Sequence, residues 1–150
     1  MRRVLLTNCT DKKSQTIKDL KRVFKAFPEH SVMSTLLLDD SFRKAQMQPF
    51  NHVCIPDYNH ERRAFDLQVQ EGTADGPYDE TLLAVIGILE AAKLQSNVAA
   101  WIRAGHLNDL KAASGADELP WFSDKETVAR WALKGKAALQ MIGLEAVAFS

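Results

Sequence analysis

Four groups of polar side chains stand near the expected ends of buried strands, where they could do chemistry. In an open parallel sheet, ligands bind outside the carboxyl ends of the strands. We therefore expect these groups to collect on one edge of a sheet and to form a ligand site there. Their side chains are carboxylates, hydroxyls, amides and one imidazole: Thr7, Asn8, Thr10 and Asp11; Asp39, Asp40 and Ser41; Asp57, Tyr58, Asn59 and His60; Asp79 and Glu80.

The first of these groups lies in the turn TNCTDKKS, before an expected helix. Backbone N–H groups at a helix start can hold a phosphate, helped here by Lys12 or Lys13. The turn lacks the glycines of a P-loop or of a dinucleotide-binding turn. Helix capping by Thr10, Asp11 or Ser14 explains the same residues. Under the ligand-binding interpretation the predicted contacts are Thr7, Asn8, Thr10, Asp11, Lys12, Ser14, Asp39 and Tyr58.

Two pairs of adjacent carboxylates, Asp39-Asp40 and Asp79-Glu80, could do acid–base chemistry or bind a hard cation. Adjacent residues point to opposite sides of a strand, so each pair alone is a poor clamp. Acidic residues at helix starts are also ordinary partners of the helix dipole, and we favour that interpretation.

A metal centre is not expected. His52, Cys54, Asp57 and His60 are all potential ligands, but their spacing matches no standard zinc pattern. We therefore predict no metal site and no cofactor. Cys54 is expected to be a small core residue.

The composition indicates an ordinary soluble domain. The chain has 150 residues, is 46% hydrophobic and carries 19 basic and 19 acidic side chains, so we expect one α/β domain over 1–150 and no general nucleic-acid surface. Residues 1–25 hold eight basic and two acidic residues. That excess is either a solvated helix face or a surface for an acidic protein partner or a small anionic ligand.

The two cysteines, the lack of a signal peptide and the lack of a long apolar run favour the cytoplasm, with no membrane contact.

Strand and helix patterns alternate along the chain. Strands are predicted at 4–6, 31–38, 51–55, 97–102 and 119–122, with a further short strand possible at 65–70. Helices are predicted at 14–27, 79–94, 106–114 and from Ser123, which a capping box with Glu126 would start; residues 41–48 could form a short one. This order predicts a three-layer α/β/α fold with a mainly parallel sheet of about five strands, of the small doubly wound type. Gly87 is expected to be a packing position in its helix.

The segment SGADELPWFSDKETVARWAL, residues 114–133, resembles the end of STAS-type domains, the modules named for sulfate transporters and anti-sigma-factor antagonists. The matching residues are Gly115, Asp117, Leu119, Phe122, Ser123, Asp124 and Glu126. The resemblance implies a non-catalytic regulatory or protein-interaction domain. The Asp-Ser phosphoacceptor pair of that family is replaced here by Asp79-Glu80.

A second resemblance, around GPYDE at 76–80, is to nucleoside deoxyribosyltransferase and N-glycosidase folds. It implies a small nucleotide- or nucleoside-processing enzyme in which Glu80 attacks a sugar carbon and Asp79 or Asp57 holds a hydroxyl. The leading hypothesis is the interaction domain and the alternative is this enzyme. A third hypothesis is a homodimer formed through the apolar segment 137–149.

Overall fold

The computed structural model describes residues 16–108 and 120–145. The predicted first strand at 4–6 and the turn with Thr7, Asn8, Thr10, Asp11, Lys12 and Ser14 lie outside these residues. Most of the predicted helix at 106–114 and the start of the predicted strand at 119–122 also lie outside them. The described residues contain both helices and a parallel sheet, so a mixed α/β class is confirmed.

The sheet in the described ranges has two strands, β1 (Leu37–Asp39) and β2 (His52–Cys54). The strands are parallel, and Asp39 at the end of β1 is paired with Cys54 at the end of β2. The parallel arrangement was expected, but the five strands are not shown. A parallel pair places both carboxyl ends at one edge, so this short sheet creates the edge on which a site was expected.

Helices account for most of the regular structure. One-turn 3₁₀ helices cover Pro49–Asn51 and Trp121–Ser123. The α-helices are α1 (Leu20–Ala26), α2 (His60–Gln70), α3 (Thr81–Ala92), α4 (Val98–Arg103) and α5 (Lys125–Met141). Among the described helices, none is long and apolar enough to cross a bilayer.

Two segments that were predicted to be strands are helical in the structure, because an asparagine side chain caps the N-terminus of each helix. The side chain of Asn97 accepts a hydrogen bond from the Ala100 N–H at 2.9 Å, and residues 98–103 form α4 instead of a strand. Asn59 accepts from the Arg62 N–H in the same way, and residues 65–70 belong to α2.

Other boundaries also differ from the sequence predictions. Trp121 and Phe122 lie in a 3₁₀ turn, and the strand at 31–38 is reduced to β1. Residues 42–47 form turns and not a helix. The cap of α5 is Asp124 and not Ser123, since its carboxylate accepts from the Thr127 N–H at 2.8 Å.

The core lies between β2 and the crossing helices α3 and α5. Its buried members are Val53, Ala84, Val85, Ile88, Trp121, Trp131 and Ala132. The helix predicted at 79–94 is confirmed as α3, and Gly87 is confirmed as a packing position because it contacts the backbone of α5. Cys54 is buried, as predicted.

Candidate functional site

The carboxylate of Asp39 lies at the carboxyl end of β1, where two lysines and a backbone N–H surround it. Its side chain is only 4% exposed. Lys18 forms an ion pair with Oδ2, and the ammonium of Lys44 lies 3.3 Å from Oδ1. The Ser41 N–H donates to Oδ1 at 3.0 Å. Asp39 was predicted as a ligand-binding residue, and the structure places it at the centre of this cluster.

The neighbouring Asp40 shares one of these lysines. Its Oδ1 accepts a hydrogen bond from Lys44 Nζ at 2.9 Å, and its side chain is 47% exposed. Both carboxylates of the pair therefore reach one ammonium, although adjacent strand residues were expected to point apart. A turn beyond β1 makes this possible, because Lys44 N donates to the Ser41 carbonyl at 3.1 Å and folds the chain back. We call Lys18, Asp39, Asp40 and Lys44 the lysine–carboxylate cluster.

All four side chains of this cluster carry charge-assisted contacts. Burial raises the pKa of Asp39, but hydrogen bonds from Lys18, the Ser41 N–H and Lys44 outweigh it and hold that pKa well below its usual range. Hydrogen bonds to Asp40 and Asp39 raise the pKa of Lys44. The buried carboxylate is therefore ionised at neutral pH, beside protonated Lys44.

Lys18 reaches Asp39 because α1 is fastened to the loop that follows β1. The Lys18 N–H donates to the Lys44 carbonyl at 2.8 Å. The amide of Gln48 makes two bonds to the start of α1: its Nε2 donates to Asp19 Oδ1 at 2.9 Å, and its Oε1 accepts from the Leu20 N–H at 3.0 Å. These contacts fix the position of Lys18 relative to β1.

The backbone of Asp39 is held equally firmly. Its carbonyl accepts from the Ile55 N–H at 3.1 Å and from the imidazole of His52 at 3.0 Å. The carbonyl can only accept, so Nε2 of the buried His52 carries the hydrogen. His52 thus supports the end of the strand through this contact. The described residues contain no group of three or more His, Cys, Asp or Glu side chains that could hold a metal.

A second polar cluster joins the segment after β2 to α2 and to the start of α3. The hydroxyl of Tyr58 donates to the buried Asp66 at 3.0 Å, and Arg62 Nε lies 3.3 Å from both Asp66 Oδ1 and Asp79 Oδ2. Asp79 Oδ1 also accepts from the Thr81 N–H. Tyr58 and Asp79, both predicted site residues, therefore meet through Arg62 and Asp66, in contacts that hold the fold together.

The remaining predicted catalytic residues have other surroundings. Glu80 forms an ion pair with Lys136 and links α3 to α5. Asp57 is exposed. Glu80 and Asp79, although adjacent, thus have different partners.

The sequence singled out Asp39 as a predicted ligand contact and Asp40 as its neighbouring carboxylate, but it pointed to neither Lys18 nor Lys44. Lys44 stands four positions after Asp40. This spacing indicates a contact only when the chain is known to turn back between the two residues. Lys18 is 21 residues from Asp39, and nothing in one sequence joins them.

Comparison with known proteins changes the interpretation of the chain. The profile of the NIF family, described as NLI interacting factor-like phosphatase, matches residues 1–99. No curated protein and no solved structure gives a match. The STAS-like resemblance and the deoxyribosyltransferase-like resemblance are both wrong, because this match identifies a different family. The two functions derived from them, a non-catalytic interaction domain and a Glu80-dependent nucleoside enzyme, are wrong with them. The match spans about two thirds of the chain, and the chain therefore belongs to the NLI interacting factor-like phosphatase family.

Proposed function

We propose that the chain hydrolyses phosphate monoesters at the lysine–carboxylate cluster. The family is described as one of phosphatases. The observation that carries the proposal is the meeting of two carboxylates at one cation: Lys44 Nζ lies 3.3 Å from Asp39 and 2.9 Å from Asp40. This arrangement lies at the carboxyl edge of a parallel sheet, where ligands bind in such folds. The ammonium groups of Lys44 and of the second lysine, Lys18, could offset the negative charge of a bound phosphate.

The lysines would hold and stabilise the phosphoryl group. An ammonium has three donors, and among the described contacts Lys18 uses its side chain for Asp39. Lys18 is 44% exposed, so its other donors can face a bound phosphate. In phosphoryl transfer, charge is spread over three equatorial oxygens, and fixed cations next to them lower the barrier.

The paired carboxylates also fit a divalent cation, in contrast to the sequence expectation of no metal. Proteins commonly bind Mg²⁺ through one or two carboxylates, with waters and substrate phosphate completing the shell. Asp39 and Asp40 already converge on the Lys44 ammonium, so a divalent cation that displaced this ammonium would have both carboxylates as ligands. When bound, Mg²⁺ would neutralise charge on the phosphoryl oxygens.

The reaction is a hydrolysis. A water oxygen forms the new bond to phosphorus, the bond from phosphorus to the ester oxygen breaks, and a proton passes to the leaving oxygen. The products are an alcohol and inorganic phosphate. The contribution of the cluster is to orient the phosphate and to offset its charge, with Asp39 held ionised throughout.

Hydrolysis of p-nitrophenyl phosphate with and without millimolar MgCl₂ tests this proposal. Asp40→Asn is the sharpest variant, because Asp40 is half exposed and its loss should leave the fold intact. We expect kcat/KM to fall by about 100-fold, as it should for Lys18→Met, with partial recovery in Lys18→Arg.

The matched control is Lys136→Met, which breaks the partly buried ion pair with Glu80, away from the cluster, and should keep wild-type turnover. Turnover that survives both Asp40→Asn and Lys18→Met would place the reaction elsewhere. A wild-type chain that releases no phosphate from p-nitrophenyl phosphate or from phosphoserine peptides would overturn the proposed activity itself.

A further inference from the structure

A cavity of about 380 Å³ lies between residues 47–51 and α4, and none of its lining residues belongs to the lysine–carboxylate cluster. Its volume is in the range of small-molecule sites. Three apolar side chains of the lining, Val32, Met47 and Phe50, remain 45%, 51% and 45% exposed. The concave surface thus presents apolar groups that a ligand could cover.

Two of the amide side chains in the lining are already occupied by the protein. Gln48 bonds to Asp19 and to the Leu20 N–H, as described above. Asn51 is buried and donates both of its Nδ2 hydrogens, to the carbonyls of Val32 and Thr35 at 2.6 and 2.8 Å. These two residues shape the cavity wall and leave the recognition of a ligand to other groups.

Two side chains of the described lining, Arg103 and Asn97, offer hydrogen-bond donors to a ligand. The Cζ atom of Arg103 lies 6.0 Å from the centroid of the Phe50 ring. Among the described contacts, Arg103 has no carboxylate partner. Asn97 uses its Oδ1 to cap α4, which leaves its NH₂ group for a ligand. A group that complements a guanidinium and an amide NH₂ must accept hydrogen bonds, and a carboxylate does so best because it also carries the opposite charge.

We infer that this cavity binds an aromatic carboxylate, with its carboxylate on Arg103 and its ring against Phe50 and Met47. An aromatic ring suits the flat face of Phe50, and the flexible Met47 can adapt to it. The guanidinium is already oriented by its contact with Phe50, so binding would need little rearrangement of that side chain. This inference goes beyond the proposed phosphatase activity and does not depend on it.

The test compares 2-naphthylacetate with its uncharged isostere 2-naphthylacetamide, by titration followed in amide NMR spectra of the whole chain. We expect the acid to bind with a Kd of about 1 mM. The amide should bind about tenfold more weakly, since it lacks the charge that pairs with Arg103. The shifted resonances should include the backbone amides of Phe50, Asn51 and Ala100.

Arg103→Met should remove the preference for the acid, so that both probes bind equally weakly. Arg63→Met is the matched control, because Arg63 is an exposed arginine of α2 outside the cavity lining, and it should leave the preference unchanged. Equal binding of acid and amide to the wild-type chain would overturn the inference. The same holds if the acid shifts only resonances outside the cavity, or none.

Discussion

The backbones of α3 and α5 meet at Gly87 and Gly135, which face each other where the two helices cross. A Cβ built on Gly87 would lie 2.1 Å from the carbonyl oxygen of Trp131. A Cβ built on Gly135 would lie 1.9 Å from the carbonyl oxygen of Leu83. Both neighbours are backbone atoms, which cannot rotate away as a side chain could. The two glycines therefore set the distance between the helices that enclose the core.

Gly87→Ala should destabilise the fold strongly for this reason. We expect the free energy of unfolding to fall by about 3 kcal/mol, because relief of the clash requires the helices to separate. The higher helix propensity of alanine, worth about 1 kcal/mol, offsets only part of this loss. Urea unfolding measures the difference.

The control for that variant is Gly143→Ala. A Cβ there meets nothing within 4 Å, but the backbone has φ +76°. We expect a loss of about 1 kcal/mol from the left-handed conformation alone. Equal losses in the two variants would show that the close helix contact is not what matters at Gly87.

The helices α3 and α5 could be predicted because their patterns are local. Leu83 to Ala92 is apolar on most sides, and Gly87 inside such a helix indicates close packing. The strands predicted at 97–102 and 65–70 failed because short apolar or alternating runs fit either element, and the capping asparagines Asn97 and Asn59 decide between them. Both asparagines are good N-cap residues, so a helix start is also consistent with the sequence at these two places.

The candidate site was predictable only in part. Asp39 follows an apolar strand, so its place at the sheet edge follows from its position in the sequence. Its partners do not: Lys18 comes from α1 and Lys44 from a turn, and both reach Asp39 through tertiary contacts. A pattern in one sequence carries no record of contacts between distant residues.

The buried Asp39 should make the stability of the fold depend on pH in the acid range. Its folded-state pKa lies below the value of about 4 expected in the unfolded chain, so its stabilising contribution is present above about pH 4 and is lost as the pH falls toward the folded pKa. Asp39→Asn should be less stable by about 2 kcal/mol near neutral pH, and the difference should shrink below about pH 4.

Urea unfolding at neutral and at acid pH measures this for Asp39→Asn and for Asp40→Asn. Asp40 is 47% exposed, and its loss should change stability by about 0.5 kcal/mol or less. A difference between wild type and Asp39→Asn that stays constant from neutral to acid pH would mean that the ion pairs of Asp39 are not its cause.

The thiol of Cys54 should be protected in the folded chain. Burial, followed by the negative charges of Asp40 and Asp39, raises its pKa to about 11. At about pH 8, therefore, only about a thousandth of the thiol would be thiolate, the reactive form. In a Cys9→Ser background, iodoacetamide should modify Cys54 slowly in buffer and quickly in denaturing urea, as followed by mass spectrometry. Equal rates in the two conditions would contradict the burial of this thiol.

Trp121 connects the start of α5 to β2, and its loss should weaken that connection. Its indole N–H donates to the Cys54 carbonyl at 2.8 Å, and the residue is 3% exposed. Trp121→Phe removes the donor and part of the buried ring, so we expect a loss of about 2 kcal/mol in urea unfolding. Trp101→Phe is the comparison, because Trp101 is only half buried and stacks on His106; its loss should be about 1 kcal/mol. A smaller effect at Trp121 than at Trp101 would contradict this assignment.

Gln48 should affect turnover through Lys18, if the proposed phosphatase activity holds. Its amide bonds to Asp19 and to the Leu20 N–H, the two residues that follow Lys18. Gln48→Leu removes both bonds and lets the start of α1 move, which should displace the ammonium from the phosphate position. We expect kcat for p-nitrophenyl phosphate to fall by about tenfold, with KM changed less, because displaced charge weakens transition-state stabilisation more than binding.

Gln95→Leu controls for this change. In the contacts that the structure describes, the Gln95 amide donates to the Ala91 carbonyl, four residues earlier in the chain, and kcat should be unaffected. Thermal unfolding of each variant separates positioning from stability. If Gln48→Leu lowers Tm but keeps the wild-type kcat at temperatures where it is folded, the bridge stabilises the start of α1 without positioning Lys18. If kcat falls while the variant remains fully folded, Gln48 is a positioning residue for the lysine–carboxylate cluster.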